Sequence, residues 1–392
     1  MKKIKGLEYF LFIVSVFFQN FALINTKDFG IAASVCFLLF FSIFHLNRFY
    51  RKFNKKFLLF LLFFTTFLFI SLFVNNLSSF TQILKLLMVV WLVYASNIYI
   101  KEIFKNQKSK YYFCNIYATT LILLLIYGLY EVIAERYSLP LFLNIFSNNS
   151  SYGEHTLYDY FHGWINTSRL YSVFFEPSVF SVFLVFNFFF VKEINEVSSF
   201  KKRVLYFLIL FNLLFTYSRT GYITFIYILV IYILFEKLKV KNGFIIFIIL
   251  MLPFITLYLM YFVGLYLYDD KSSLMRTYSG IYYLQESITS FKYIVFGHGC
   301  GSIISATITE KYVANCANNG YVDIIYQYGI IALLLFCEYL NNIVKLVNNK
   351  KYLILGIFST FCCFASYYCV ETIVILMVII FNYIVSDKQL ES

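Results

Sequence analysis

The chain reads as an all-α, polytopic integral membrane protein with about twelve transmembrane helices. Three observations predict this fold. First, 61% of its 392 residues are hydrophobic and only 13% are charged, whereas a soluble domain is about 45–50% apolar and about 25% charged. Second, apolar runs long enough to cross a bilayer recur along the whole sequence. Third, most of its 32 lysines and arginines fall in alternate connections, as the positive-inside rule requires.

The predicted spans are 7–25, 29–46, 57–74, 80–100, 112–134, 170–191, 203–218, 219–236, 243–268, 320–340, 351–367 and 369–385. Lys2, Lys3 and Lys5 precede an apolar run without a small-residue cleavage site, which predicts an uncleaved first helix. Basic clusters at 48–56, 101–110, 192–203, 237–241 and 345–351 mark one side, the cytoplasmic side. An even number of crossings then places both termini there. Two segments on the outer side are long, about 135–169 and 269–319. No Gly/Ser-rich linker or low-complexity stretch interrupts the chain, so residues 1–392 read as one membrane domain. The net charge of +12 is loop charge under this topology, and nucleic acid is not an expected partner.

Ionisable side chains within apolar spans are costly and need a reason. Lys85, Glu131, Glu176, Arg219, Asp323 and Glu371 all fall toward the outer ends of their predicted spans. This pattern predicts a polar crater open to the outer side. Snorkelling to the headgroups is the alternative for those nearest an interface.

Four motifs carry candidate chemistry. Arg169 and Glu176 are seven residues apart, two helical turns on one face, and Pro177 follows with an expected kink. Ser218-Arg219-Thr220-Gly221 reads as a tight turn presenting an arginine fork suited to phosphate. The third motif runs from Asp269 through Arg276 and an amphipathic stretch with Tyr283 and Glu286 to Gly297-His298-Gly299-Cys300-Gly301. Its three glycines predict a flexible loop around His298, without the βαβ context of a dinucleotide site. Asp269-Asp270 reads as a solvated pair or a divalent-metal site, and His298 has no partner at zinc-ligand spacing. The fourth motif, Asn318-Asn319-Gly320-Tyr321-Val322-Asp323, opens a late helix, and its asparagines are candidate caps. Cys300 and Cys316 share an outer loop, where they form either one disulfide or two free thiols. Tyr152, Tyr158, Trp164, Tyr282, Tyr283 and other outer-loop aromatics read either as an interfacial belt or as stacking platforms for sugar rings.

In this order the four motifs resemble the O-antigen polymerase (Wzy) family and its relatives, the O-antigen ligases. The ligases usually carry a His-Asn pair where this chain has Asn318-Asn319, so the polymerase branch is favoured. The resemblance implies a metal-independent, GT-C-like membrane glycosyltransferase of the bacterial cytoplasmic (inner) membrane, serving lipopolysaccharide or capsular polysaccharide biosynthesis. It would transfer a growing undecaprenyl-pyrophosphate-linked glycan onto a lipid-linked repeat unit. Glu176 and His298 would be the catalytic candidates. Arg169, Arg219, Arg276, Asn319 and Tyr321 would bind substrate. The implied partners are undecaprenyl-pyrophosphate-linked oligosaccharide and polysaccharide, the lipid bilayer and a chain-length regulator. No cofactor is implied. The alternatives are an O-antigen ligase, a lipid-linked oligosaccharide flippase and a scaffold for polysaccharide export.

Overall fold

A computed structural model describes residues 2–18, 21–25, 30–44, 62, 65–66, 68–69, 80–137, 139–140, 170, 172–174, 176–238, 244, 247, 251, 254–256, 258, 271–305, 313, 319–346, 351–363 and 371–391. The first helix is α1 (Lys2–Phe17), followed by an antiparallel pair of short strands, β1 (Ala22–Asn25) and β2 (Gly30–Ala32). Then come α2 (Ala33–Phe44), α3 (Phe80–Phe104), α4 (Gln107–Arg136), α5 (Pro177–Glu193), α6 (Ser199–Phe215) and α7 (Arg219–Tyr232). A π-helical turn, Ile233–Lys237, extends α7. The remaining helices are α8 (Lys271–Ser287), α9 (Phe291–Phe296), α10 (Ser302–Ser305), α11 (Gly320–Leu346), α12 (Lys351–Cys363) and α13 (Glu371–Glu391).

The chain divides into two compact units. Unit 1 comprises Met1–Phe49, Leu92–Ile226 and Glu371–Ser392, and unit 2 comprises Tyr50–Trp91 and Tyr227–Val370.

In unit 1, α5 is buried nearly all round, from Pro177 through Val191. A helix apolar on every face belongs at the centre of its neighbours. Aromatic rings pack around it: Phe17 meets Phe183 at 5.2 Å between centroids, and Phe190 meets Tyr383 of α13 at 5.5 Å. The last helix is tied back to the first, since the Thr372 hydroxyl donates to the Val16 carbonyl at 2.6 Å. Side chains also cap the helices. Asn106 Oδ1 accepts from the Lys108 N–H at 2.9 Å, and Ser198 Oγ accepts from the Lys201 N–H at 3.4 Å.

In unit 2, α8 and α9 pack on α11 around Tyr283, Ile303, Val322 and Tyr326. Helix α11 is broken at Gly329, whose φ is 74° and ψ is −176°.

This architecture corrects the twelve-span expectation. Among the described residues three helices are long and apolar enough to cross a membrane: Ile83–Phe104, Gln107–Ala134 and Arg219–Lys237. Other apolar runs are divided into shorter pieces. Predicted span 7–25 becomes a 16-residue helix followed by a strand, and span 29–46 becomes a strand and a 12-residue helix. Twelve helical residues reach about 18 Å, short of a hydrocarbon core of about 30 Å. In span 170–191 the helix begins at Pro177, and in span 351–367 the described residues form the helix Lys351–Cys363. The predicted outer segment 269–319 contains α8, α9 and α10. Most of spans 57–74 and 243–268, and nearly all of the outer segment 135–169, lie outside the described residues.

The functional expectations built on the twelve-span bundle are corrected with it. The GT-C-like glycosyltransferase, the polymerase and ligase activities and the flippase all presuppose that bundle, as does the role in lipopolysaccharide biosynthesis. The three candidate spans found among the described residues do not supply it. The multi-pass placement in a bacterial inner membrane, with both termini cytoplasmic, depends on an even count of twelve and is corrected for the same reason.

Candidate functional site

The four sequence motifs converge in pairs, the first with the second in unit 1 and the third with the fourth in unit 2. In unit 1 the Glu176-Pro177 step starts α5 rather than kinking a helix already under way. Glu176 is the N-cap residue, with extended backbone (φ −149°, ψ 138°), and Pro177 occupies the first turn. Proline disfavours helical backbone at the preceding residue and suits the first helical position, so a start is the cheaper solution. The expected helical register between Arg169 and Glu176 is therefore absent, because residues 172–174 are not helical. Arg169 itself lies outside the described residues. Glu176 is half-buried, and Ser172, four residues earlier, is buried in a left-handed conformation (φ 53°).

The Ser218-Arg219-Thr220-Gly221 motif is the start of α7 rather than the turn itself. Tyr217, with φ 46°, turns the chain just before it. Ser218 Oγ accepts from the Gly221 N–H at 3.4 Å, as an N-cap does. The second motif meets α5, the helix that the first motif begins, through hydroxyls: Ser181 Oγ donates to the Ser178 carbonyl at 2.7 Å and lies 2.9 Å from Ser218 Oγ. Gly221 makes this approach possible, since a Cβ there would meet Ser181 Cβ at 2.5 Å. Ser218 and Thr220 are buried, whereas Arg219 is exposed. The arrangement places an exposed arginine directly after the buried, hydroxyl-bonded Ser218, and Glu176 belongs to the same unit.

In unit 2, the glycine-rich loop lies across the break in α11. At Gly329 the helix stops supplying N–H groups to its own carbonyls. The His298 N–H donates to the Tyr326 carbonyl at 2.7 Å, and the Gly299 N–H to the Gln327 carbonyl at 3.0 Å. Buried carbonyls need such partners. Gly297 and Gly329 both have positive φ, and the two segments approach so closely that a Cβ on Gly297 would overlap the Gln327 carbonyl group. Gln327 braces the loop from its side chain. Its Oε1 accepts from the Gly301 N–H at 2.7 Å, while its Nε2 donates to Asp323 Oδ1 at 3.0 Å.

His298 is buried, with its ring between those of Tyr293 (3.8 Å, interplanar 16°) and Tyr326 (4.3 Å, interplanar 15°). Its Nε2 lies 3.2 Å from the Glu286 carbonyl oxygen. Burial lowers its pKa from the ordinary imidazole value, and the Glu286 carbonyl and carboxylate partly offset this. Cys300 is a buried free thiol 3.3 Å from the Tyr328 hydroxyl. Burial pushes its pKa up to about 11 against the opposing effect of that hydrogen bond. Cys316, its expected alternative partner, lies outside the described residues.

Asn319 is the N-cap of α11, its Oδ1 accepting from the N–H groups of Tyr321 (3.1 Å) and Val322 (3.2 Å). Tyr321 is buried next to it. Arg276 lies on α8, whose backbone alone is described there. Among the described residues no group of three His, Cys, Asp or Glu is placed to hold a metal ion. Asp269 and Asp270 lie outside the described residues.

Sequence reasoning missed a buried charge pair in unit 1. Lys110 Nζ lies 3.4 Å from Glu196 Oε1 and 4.1 Å from the centre of the Tyr383 ring. The Tyr383 hydroxyl donates to Glu196 Oε2 at 2.7 Å. Lys110 belongs to a lysine-rich connection read as solvated, and nothing local in the sequence separates it from Lys105 or Lys108.

No protein-family model, no curated protein and no solved structure matches the chain.

Proposed function

We propose that this chain is a bilayer-associated helical protein that binds a lipid-linked oligosaccharide. The observation that carries the bilayer is the outward face of α4. Leu123, Ile126 and Ile133 are 56%, 49% and 51% exposed on a 30-residue helix. An apolar face of this length is costly in water and natural in lipid. The oligosaccharide ligand rests on the motif resemblance, together with the exposure of Arg219 at the start of α7. Arg219 would hold the anionic carrier headgroup through its planar fork.

Two measurements test the proposal. Membranes from expressing cells are extracted with alkaline carbonate, and the chain is expected to stay with the lipid pellet. Release into the supernatant overturns the bilayer association. Purified protein in nanodiscs is then titrated with a synthetic polyprenyl-pyrophosphate oligosaccharide and with the same lipid lacking sugar. The sugar-bearing lipid is expected to bind more tightly, and Arg219→Lys to weaken binding about tenfold, near 1.4 kcal/mol. Equal affinity for the two lipids overturns the oligosaccharide assignment.

A further inference from the structure

The loop 297–301 and the break in α11 form a device that the proposed function leaves unused. Helix α11 has two N–H groups of the loop satisfying its interrupted carbonyls, from His298 to Tyr326 and from Gly299 to Gln327. Those two bonds exist only while residues 297–299 lie flat against the break. The loop reaches this position through positive-φ backbone at Gly297, Gly299 and Gly301. Glycine backbone at these positions has other conformations open to it at little steric cost, and leaving the break would also part the Gly301 N–H from Gln327 Oε1. What presses it in place is the His298 ring, wedged between Tyr293 of α9 and Tyr326 of α11 and bonded through Nε2 to the Glu286 carbonyl of α8. One side chain therefore joins three helices across a helix break.

We propose that His298 is a proton-sensitive latch: in its neutral form it pins residues 297–301 onto the broken helix, and proton uptake releases them. The groups facing it decide the direction. From α8 the Glu286 carboxylate favours the charged ring, while from α9 Lys292 opposes it. The faces of Tyr293 and Tyr326, stacked on the ring, also favour its charged form. Asp323 in the first turn of α11 is engaged by the Gln327 amide. Removal from water outweighs these contributions and holds the imidazole pKa below its ordinary value of 6.5. The closed loop therefore binds the proton more weakly than the open loop does. Closure is fully favoured above the ordinary imidazole pKa, and that advantage declines as the pH falls toward the lower pKa of the closed form. Release would expose the Tyr326 and Gln327 carbonyls and the Cys300 thiol. A broken helix with free carbonyls would then be available to straighten or to meet a polar ligand.

The test uses the full chain in lipid nanodiscs. Hydrogen exchange is followed at the His298 and Gly299 amides from about pH 7.5 to about pH 5, corrected for the intrinsic pH dependence of exchange. Protection is expected to fall about tenfold per unit by which the closed-state pKa is depressed. His298→Phe keeps a ring between the tyrosines but takes no proton, and its corrected protection should not change with pH. Unchanged wild-type protection, or the same step in His298→Phe, overturns the latch. Should His298→Phe fail to fold, a second measurement decides. Replacing His45, His155 and His162 by Gln leaves one imidazole of the four. Its carbon resonance should titrate below the ordinary value, and its midpoint should coincide with the loss of protection. A midpoint at or above the ordinary value overturns the proposal.

Discussion

Lys110 shows how far a residue's environment can depart from its sequence context. It sits among Lys101, Lys105 and Lys108, yet its side chain is fully buried against Glu196, 86 positions away. The desolvated ammonium is held by the carboxylate and by the face of Tyr383. Removing one member of a buried pair strands the other, which costs about 3–5 kcal/mol. Lys110→Met should therefore lower the thermal unfolding temperature sharply. Lys110→Met combined with Glu196→Gln should recover most of that loss, since neither charge is then left buried alone. A double variant no more stable than the single one would show that the ion pair is not the source of the effect. Other residues were legible in advance. The Asn at the start of α11 was readable as a cap because capping is local, needing only a short polar side chain before an apolar run. His298 was singled out for its glycines, but its two stacking partners were not, since Tyr326 lies 28 residues on and packs through tertiary structure.

At the scale of elements, punctuation proved more informative than periodicity. Pro177 was expected to kink a long span, but Glu-Pro-Ser is equally a helix start, and the structure takes that choice. The run 7–25 is apolar enough to continue as helix, yet it yields to a hairpin between Ala22–Asn25 and Gly30–Ala32. Apolarity alone does not separate strand from helix over a few residues. The meeting of α5 and α7 could not be read from the chain, because it depends on Gly221 lying directly over Ser181. This contact gives a prediction at the same scale. Gly221→Ala places a methyl group 2.5 Å from Ser181 Cβ and should destabilise unit 1 by about 1–3 kcal/mol. Ser181→Gly removes the colliding atoms, so its cost should be smaller in the Gly221→Ala background than in the wild type. A double-mutant cycle measured by thermal unfolding should return a coupling of at least about 1 kcal/mol. Additive losses would mean that the helices separate to accommodate the methyl group.

For the whole molecule, composition predicted a lipid environment and overestimated how the chain would use it. Counting apolar runs gave twelve crossings, because each run was assumed to be one continuous helix. The fold instead spends many of those residues on short helices packed against one another, with α5 enclosed on nearly all sides. One of the helices that remain long and apolar, α4, carries two distinct faces. On α4, residues 113, 117, 121, 124, 128 and 131 are buried, while Leu123, Ile126 and Ile133 are exposed. The spacing of the buried set is that of one helical face, and the exposed set lies on the opposite side. If a bilayer covers that side, a lipid-dissolved photoactivatable carbene should label Leu123, Ile126 and Ile133 and should spare Leu121, Leu124 and Leu125. The labelled positions should follow the 3.6-residue period. Substitution should follow the same pattern, because an arginine facing lipid costs about 2.5–3.5 kcal/mol on insertion scales. Leu123→Arg should therefore reduce the amount of chain recovered in membranes, while leaving the helix able to form in detergent. Uniform labelling around α4, or labelling of the buried face, would mean that the helix does not meet lipid in the orientation its burial pattern implies. The apolar face would then have to be covered by protein.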